Sequence, residues 1–315
     1  MADIKSLPIW LEADYQQAQQ WRRSGKFHHA LLLTGNQGIG QSALADALAR
    51  LLLCERAAQA PCGECHSCQV ALAETHPDWL TLDGRAGASI KVDAVRQLVT
   101  KVTNKPQLGY SKVVTIHDAH QMNINAANAI LKALEEPPAA TYFILTSNSS
   151  RALMPTILSR CQRVNLPTPS AQQVSDWLIK ETNSDVSKLM WFSNTPYHLL
   201  SLVETPSYDM LQKLPDSLVS WLSGHIRVDE FVAYMNKDHV QDFVDGLLAL
   251  LTSALQYSAT GRCDESVRHA LEALLQRYDL YRLMHFVQQL TLFKSQLDKT
   301  HLNPTIQLTG ELNSW

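Results

Sequence analysis

Residues 30–42 read ALLLTGNQGIGQS, and the fold follows from this stretch. An apolar, strand-like run, Ala30 to Thr34, leads into glycines at 35, 38 and 40, and a helical pattern opens at Gln41. A strand, a glycine loop and a helix in that order match the phosphate-binding pattern G-x-x-x-x-G-K-[ST], whose backbone N–H groups and helix N-terminus point at an anion. Gly35, Gly38, Gly40 and Ser42 keep the pattern, and Gln41 stands where it calls for lysine. A neutral amide cannot supply the ammonium charge that reaches the β- and γ-phosphates. The shape of an anion site is expected to survive while ATP binding does not. The plainer alternative is a glycine turn between a strand and a helix; the strand before it and the hydroxyl after it favour an inherited phosphate loop.

Outward from this loop, short β-rich runs alternate with helical stretches as far as Leu166, which predicts an α/β domain with a mainly parallel sheet. The expected strands are Ala30–Thr34, Trp79–Leu82, Val113–His117, Tyr142–Thr146 and Arg163–Leu166. The expected helices are Gln41–Cys54, Val92–Asn104 and Asn123–Glu136, the last stopped by Pro137-Pro138. Pro167-Thr168-Pro169-Ser170 breaks the alternation, and Ser170 is a candidate N-cap for a helix carrying Val174, Trp177 and Leu178 on one face. Beyond it apolar residues fall at helical spacing, with a further break near Thr205-Pro206-Ser207.

The strand Val113–His117 ends in Asp118-Ala119. In nucleotide-hydrolysing enzymes of this kind a strand ends in an Asp-Glu pair, one carboxylate holding magnesium and the other activating water. Here the first is present and the second is a methyl group, so turnover is not expected; a turn or cap role for Asp118 is the competing reading. Cys54, Cys62, Cys65 and Cys68 form a C-x7-C-x2-C-x2-C array, whose spacing suits one structural zinc ion held by four thiolates.

The chain has 315 residues, enough for two or three compact domains. Hydrophobic residues make up 45% and charged residues 18%, and no apolar run approaches membrane-spanning length. A soluble, cytoplasmic protein without a secretory signal and without membrane partners is expected. The formal net charge of −3 argues against strong DNA binding by the isolated chain, and hence against a zinc-dependent nucleic-acid-binding module, one of two alternatives. The other is an ATP-hydrolysing motor that tolerates Gln41, and Ala119 counts against it.

Residues 153–163 read LMPTILSRCQR and place Arg160 after a short helix, just before the last strand. Together with the phosphate loop, the cysteine array and NAILKALEEPP at 128–138, the Ser159-Arg160-Cys161 segment resembles the bacterial DNA polymerase III clamp-loader subunits. The likeness runs over the whole chain, strongest from Ala30 to Leu166. Gln41 and Ala119 depart from the motor subunits gamma and tau, and the cysteine array and Ser-Arg-Cys depart from delta. Asn194-Thr195-Pro196-Tyr197 puts a tyrosine where the motors carry a nucleotide-sensing arginine. Thr146, Ser147 and Asn148 fall at another sensor position of the family, or simply cap the strand end.

The resemblance implies an AAA+ domain over 1–166 with a zinc module at about 54–68, a three-helix lid over 167–206 and an all-α collar over 207–315. It implies a non-hydrolysing member of a five-membered ring with three gamma/tau motor subunits and one delta, which loads the sliding clamp on primed DNA for the polymerase, a DNA-directed nucleotidyltransferase. In that ring Arg160 would act as an arginine finger on ATP held by a neighbour. Gly35, Gly38, Gly40, Gln41, Ser42 and Asp118 would be the remains of a nucleotide site.

Overall fold

The computed structural model describes residues 7–85, 89–108, 110–149, 151, 153–182, 184, 186–193, 195–233, 239–297 and 303–315. Ala30–Thr34 forms β1, buried along its whole length. Trp79–Asp83 forms β2, Lys112–His117 β3, Thr141–Ser147 β4 and Gln162–Asn165 β5. The five strands make one parallel sheet in the order β2-β3-β4-β1-β5. A parallel sheet is covered on both faces, so its inner strands are apolar throughout instead of alternating. That is why ALLLT and KVVTIH are legible as strands.

One face carries Leu32, Val114, Ile116, Phe143 and Leu145, packed against α4 (Val92–Val102) through Val95 and Leu98 and α5 (Ile124–Glu135) through Ile130 and Leu134. On the other side α2 (Gln41–Leu53) packs on β3 and β4. The sequence reading missed α1 (Ile9–Arg23), which lies against α2 and buries only Trp10, Leu11 and Ala18. Trp10 donates its indole N–H to the carbonyl of Ile39 at 2.8 Å, tying this helix to the glycine loop.

Several expected boundaries move by one or two residues. Helix α4 stops at Val102 and not at Asn104, because the buried Lys112 ammonium takes the carbonyls of Lys101 and Asn104, each at 2.7 Å. Strand β5 begins at Gln162, in register with Leu31, and ends at Asn165 opposite Thr34.

The chain divides into two compact units, Met1–Gln173 and Val174–Trp315. Ser170 caps α7 (Ala171–Thr182) reciprocally: its Oγ accepts from the N–H of Gln173 at 3.3 Å, and the Gln173 amide oxygen accepts from the N–H of Ser170 at 2.9 Å. The second unit is helical throughout its described residues. After α7 come a 3-10 turn over Val186–Leu189 and α8 (Pro196–Val203). Then follow α9 (Ser207–Leu222), α10 (Val228–Ala233), α11 (Val240–Thr260), α12 (Arg268–Arg277), α13 (Leu280–Leu297) and α14 (Pro304–Asn313). Gly246 lets α9 and α11 approach: a Cβ there would meet methyls of Leu214 and Leu211 at 2.5 and 2.8 Å.

Candidate functional site

The glycine loop has the expected shape. Gly38 and Gly40 adopt φ of +72° and +108°, which a side chain would strain. A Cβ on Gly35 would come within 2.6 Å of Ile39 and 3.3 Å of Leu166. Gln41, at the start of α2, is 7% exposed, and its side chain turns back into the loop. Its Nε2 donates to the carbonyls of Gly35 at 2.9 Å and Asn36 at 2.6 Å. Both amide hydrogens are therefore spent on the loop itself. Ser42 follows, half-buried.

At the end of β3, Asp118 takes a left-handed conformation (φ 49°, ψ 54°) and opens a short 3-10 turn. Its N–H donates to the Thr146 hydroxyl at 2.9 Å and its carbonyl accepts from the N–H of Gln121 at 2.8 Å. Ala119 is fully buried in the core under α5, where an unpaired carboxylate would be costly. Ser147 donates its hydroxyl to the Ser149 carbonyl at 2.8 Å, and Asn148 is exposed.

The neighbourhood of Asp118 holds charges that the sequence reading missed. Arg85 binds both carboxylate oxygens of Asp83, Nε to Oδ1 at 2.9 Å and Nη2 to Oδ2 at 2.5 Å. That bidentate pairing pulls the Asp83 carboxyl down to about 2 and raises Arg85, with smaller contributions from the Asp46 and Asp118 charges. His117 is 2% exposed and sits 3.2 Å from Asp46. Asp83 at this end of the sheet thus has a cation from the chain's own sequence, and Asp46 and Asp118 feel that charge more weakly. No motif flags these pairings, because their members lie on separate elements.

The four cysteines converge. Their sulfurs all lie within 4.8 Å of one another, held by the end of α2 and the start of α3 (His66–Leu72). Backbone N–H groups of Cys62, Cys65 and Cys68 donate to the sulfurs of Cys54, Cys62 and Cys65 at 3.5, 3.4 and 3.4 Å. The N–H of Cys65, with further help from that of Glu64, lowers the Cys62 thiol to about 6, whereas burial raises Cys54 and Cys68. The cluster can hold a metal ion, and an all-sulfur set of this size fits a tetrahedral thiolate-bound one.

A buried polar chain, invisible to spacing arguments, fastens this module to the sheet. Ser67 donates to the Leu53 carbonyl at 2.6 Å and lies 2.7 Å from His76 Nε2. His76 Nδ1 accepts from the N–H of Asp78 at 3.1 Å, which leaves the ring proton on Nε2. The Asp78 carboxylate then accepts the N–H groups of Gln107 and Leu108, the shortest bond being 2.7 Å.

Arg160 follows α6 (Pro155–Leu158) and lies at the other end of the strands. Since β5 runs parallel to β1 with Gln162 opposite Leu31, Arg160 is level with the start of β1, while the glycine loop leaves from its end. The five residues of β1, at about 3.3 Å each, separate them by about 16 Å. The Arg160 side chain, 28% exposed, has Nη2 3.1 Å from Glu135 Oε1. Its Nη1 donates to the Thr156 carbonyl at 2.9 Å and the Ser159 hydroxyl at 3.3 Å. An open groove lined by His28, His29, Leu134, Glu135 and Ser159 receives it.

In the second unit, the Tyr197 ring packs against Trp177 with centroids 5.2 Å apart. Asn194, from the same sequence segment, lies outside the described residues. No helix among the described residues is long and apolar enough to cross a membrane.

Two family models match this chain, one described as "DNA polymerase III, delta subunit" over residues 11–170 and one as "DNA polymerase III, delta subunit, C terminal" over 208–315. The DNA polymerase III subunit delta' of Haemophilus influenzae is 34% identical over 258 residues, covering 81% of this chain and 79% of that protein. The Escherichia coli subunit delta' is 33% identical over 259 residues, covering 78% and 75%. A tau/gamma subunit from Haemophilus influenzae is 35% identical over 157 residues, covering 50% of this chain and 22% of its own length. The altered phosphate loop, the cysteine cluster and the Ser-Arg-Cys segment thus sit in a chain that matches delta' proteins over most of its length, and it belongs to the DNA polymerase III delta' family.

Proposed function

We propose that this chain is the non-hydrolysing stator of the clamp loader in DNA replication, assembling with gamma/tau motor subunits and delta. It supplies Arg160 in trans to ATP bound by a neighbour, and so helps the ring of five load the sliding clamp on primed DNA. The observation that carries this reading is the placement of its two functional ends. Gln41 closes the loop at the C-terminal end of β1 with its own amide, and Arg160 stands at the opposite end of the same strand, out of reach of that loop. An arginine there has no nucleotide to serve within its own chain.

In this reading 1–166 is the AAA+ domain, 167–206 the lid and 207–315 the collar through which the ring assembles. Gly35, Gly38, Gly40, Gln41, Ser42 and Asp118 are relics of a nucleotide site that no longer takes ATP. Cys54, Cys62, Cys65 and Cys68 hold a structural zinc, and the protein works in the cytoplasm. The buried Ala119 and the spent amide of Gln41 weigh against an ATP-hydrolysing motor.

The test is the reconstituted ring with Arg160→Ala. Assembly is expected to be intact, with DNA-stimulated hydrolysis at the interface facing this chain reduced by roughly 10³ or more and clamp loading reduced with it. Loading at the unmodified rate would reduce Arg160 to a structural residue.

A further inference from the structure

We propose that Glu135 is the positioning residue for the trans-acting guanidinium of Arg160, an inference that rests on the finger reading above. A guanidinium has five N–H donors. Nη1 uses its two on the Thr156 carbonyl and the Ser159 hydroxyl, and Nε is buried without a partner. Nη2 forms an ion pair with Glu135, 3.1 Å from Oε1, without the geometry of a hydrogen bond. The N–H groups of Nη2 are left for an oxygen arriving from outside. Glu135 therefore holds, by charge, the nitrogen that carries the free donors.

The carboxylate is itself braced. Glu135 is the last residue of α5, which ends before Pro137-Pro138, and the carbonyl of the preceding Leu134 lies 3.0 Å from His29 Nε2 at the foot of β1. Thr156 and Ser159 hold the other nitrogen from the side of Arg160's own segment, so Glu135 is the anchor from a separate element. Magnitudes place its importance in geometry. The pair is partly open to water, with 28% and 58% of the side chains exposed, and such pairs add little to stability. A reacting group displaced by about 1 Å can lose about 10²-fold in rate. Loss of this carboxylate leaves a long side chain free to leave its pose.

The experiment measures DNA-stimulated ATP hydrolysis by the reconstituted ring carrying Glu135→Ala, Glu135→Gln, Arg160→Ala, or Glu135→Ala with Arg160→Ala. Glu135→Ala is expected to lower kcat at the facing interface about tenfold with KM for ATP unchanged. Glu135→Gln keeps the shape but loses the charge and should fall between Glu135→Ala and the unmodified ring. In the Arg160→Ala background, Glu135→Ala should cause no further loss, because a residue that acts only by aiming Arg160 has nothing left to aim. A rate for Glu135→Ala equal to or above the unmodified ring overturns the proposal, as does an additional loss in the Arg160→Ala background, which would mark a merely structural role. If Arg160→Ala itself leaves the rate unchanged, the finger reading fails and this inference falls with it. If Arg160→Ala slows the ring and Glu135→Ala does not, only the positioning role is lost.

Discussion

Gln41 carries a neutral amide where the phosphate-loop pattern has an ammonium. That amide is turned inward, bonded to the carbonyls of Gly35 and Asn36. The residue has acquired a bracing role in the loop it replaced lysine in. Gln41→Ala would leave both carbonyls without that donor, at roughly 0.5–1.5 kcal/mol for each bond; a denaturant titration should show the native state weakened by about 1–3 kcal/mol. An unchanged midpoint would mean that water satisfies the carbonyls equally well. Asp118 is a parallel case: its presence after β3 is plain from the sequence, but its left-handed backbone and its bond to Thr146 are not. Arg85, His117, Glu135 and His76 were missed for a common physical reason. Each has partners on other elements, and spacing along the chain carries no information about them.

At the scale of elements, the inner strands β1, β3 and β4 were readable because a parallel sheet buried on both faces writes largely apolar runs there. The helices α2, α4 and α5 were readable because each follows a strand and buries one side. The first helix, α1, was not: IWLEADYQQAQQWRR is largely polar, and its anchoring bond runs to Ile39, which periodicity cannot reveal. The cysteine module was half legible, its four candidate ligand positions evident from spacing and its Ser67–His76–Asp78 fastening hidden. Replacement of one ligand, Cys65→Ser, is expected to reduce bound zinc from one ion per chain to none in metal analysis of reduced protein, because three thiolates no longer close the tetrahedron. A chain purified under reducing conditions with no metal at all would refute the zinc assignment.

At the scale of the molecule, the α/β character of the first unit and the helical character of the second followed from the change of periodicity after Pro167. Several losses are spread over the first unit, and they reinforce one another. Restoring the charge alone by Gln41→Lys leaves Ala119 in the core and Asp118 within the field of Arg85 from the chain itself. The purified chain, unmodified or with Gln41→Lys, is therefore expected to show no steady-state ATP hydrolysis. Turnover by either at ordinary motor rates would return the chain to the class of motors.

The parallel pairing of β1 with β5 puts Arg160, the proposed finger, and the loop that Gln41 braces at opposite ends of the same two strands. In a head-to-tail series each contact joins one member's offering end to the next member's receiving end. On the proposed function, a chain that offers an arginine and takes no ATP fits only the first place in such a row. The closed loop would then give an otherwise repetitive circle a starting point, and with it a direction.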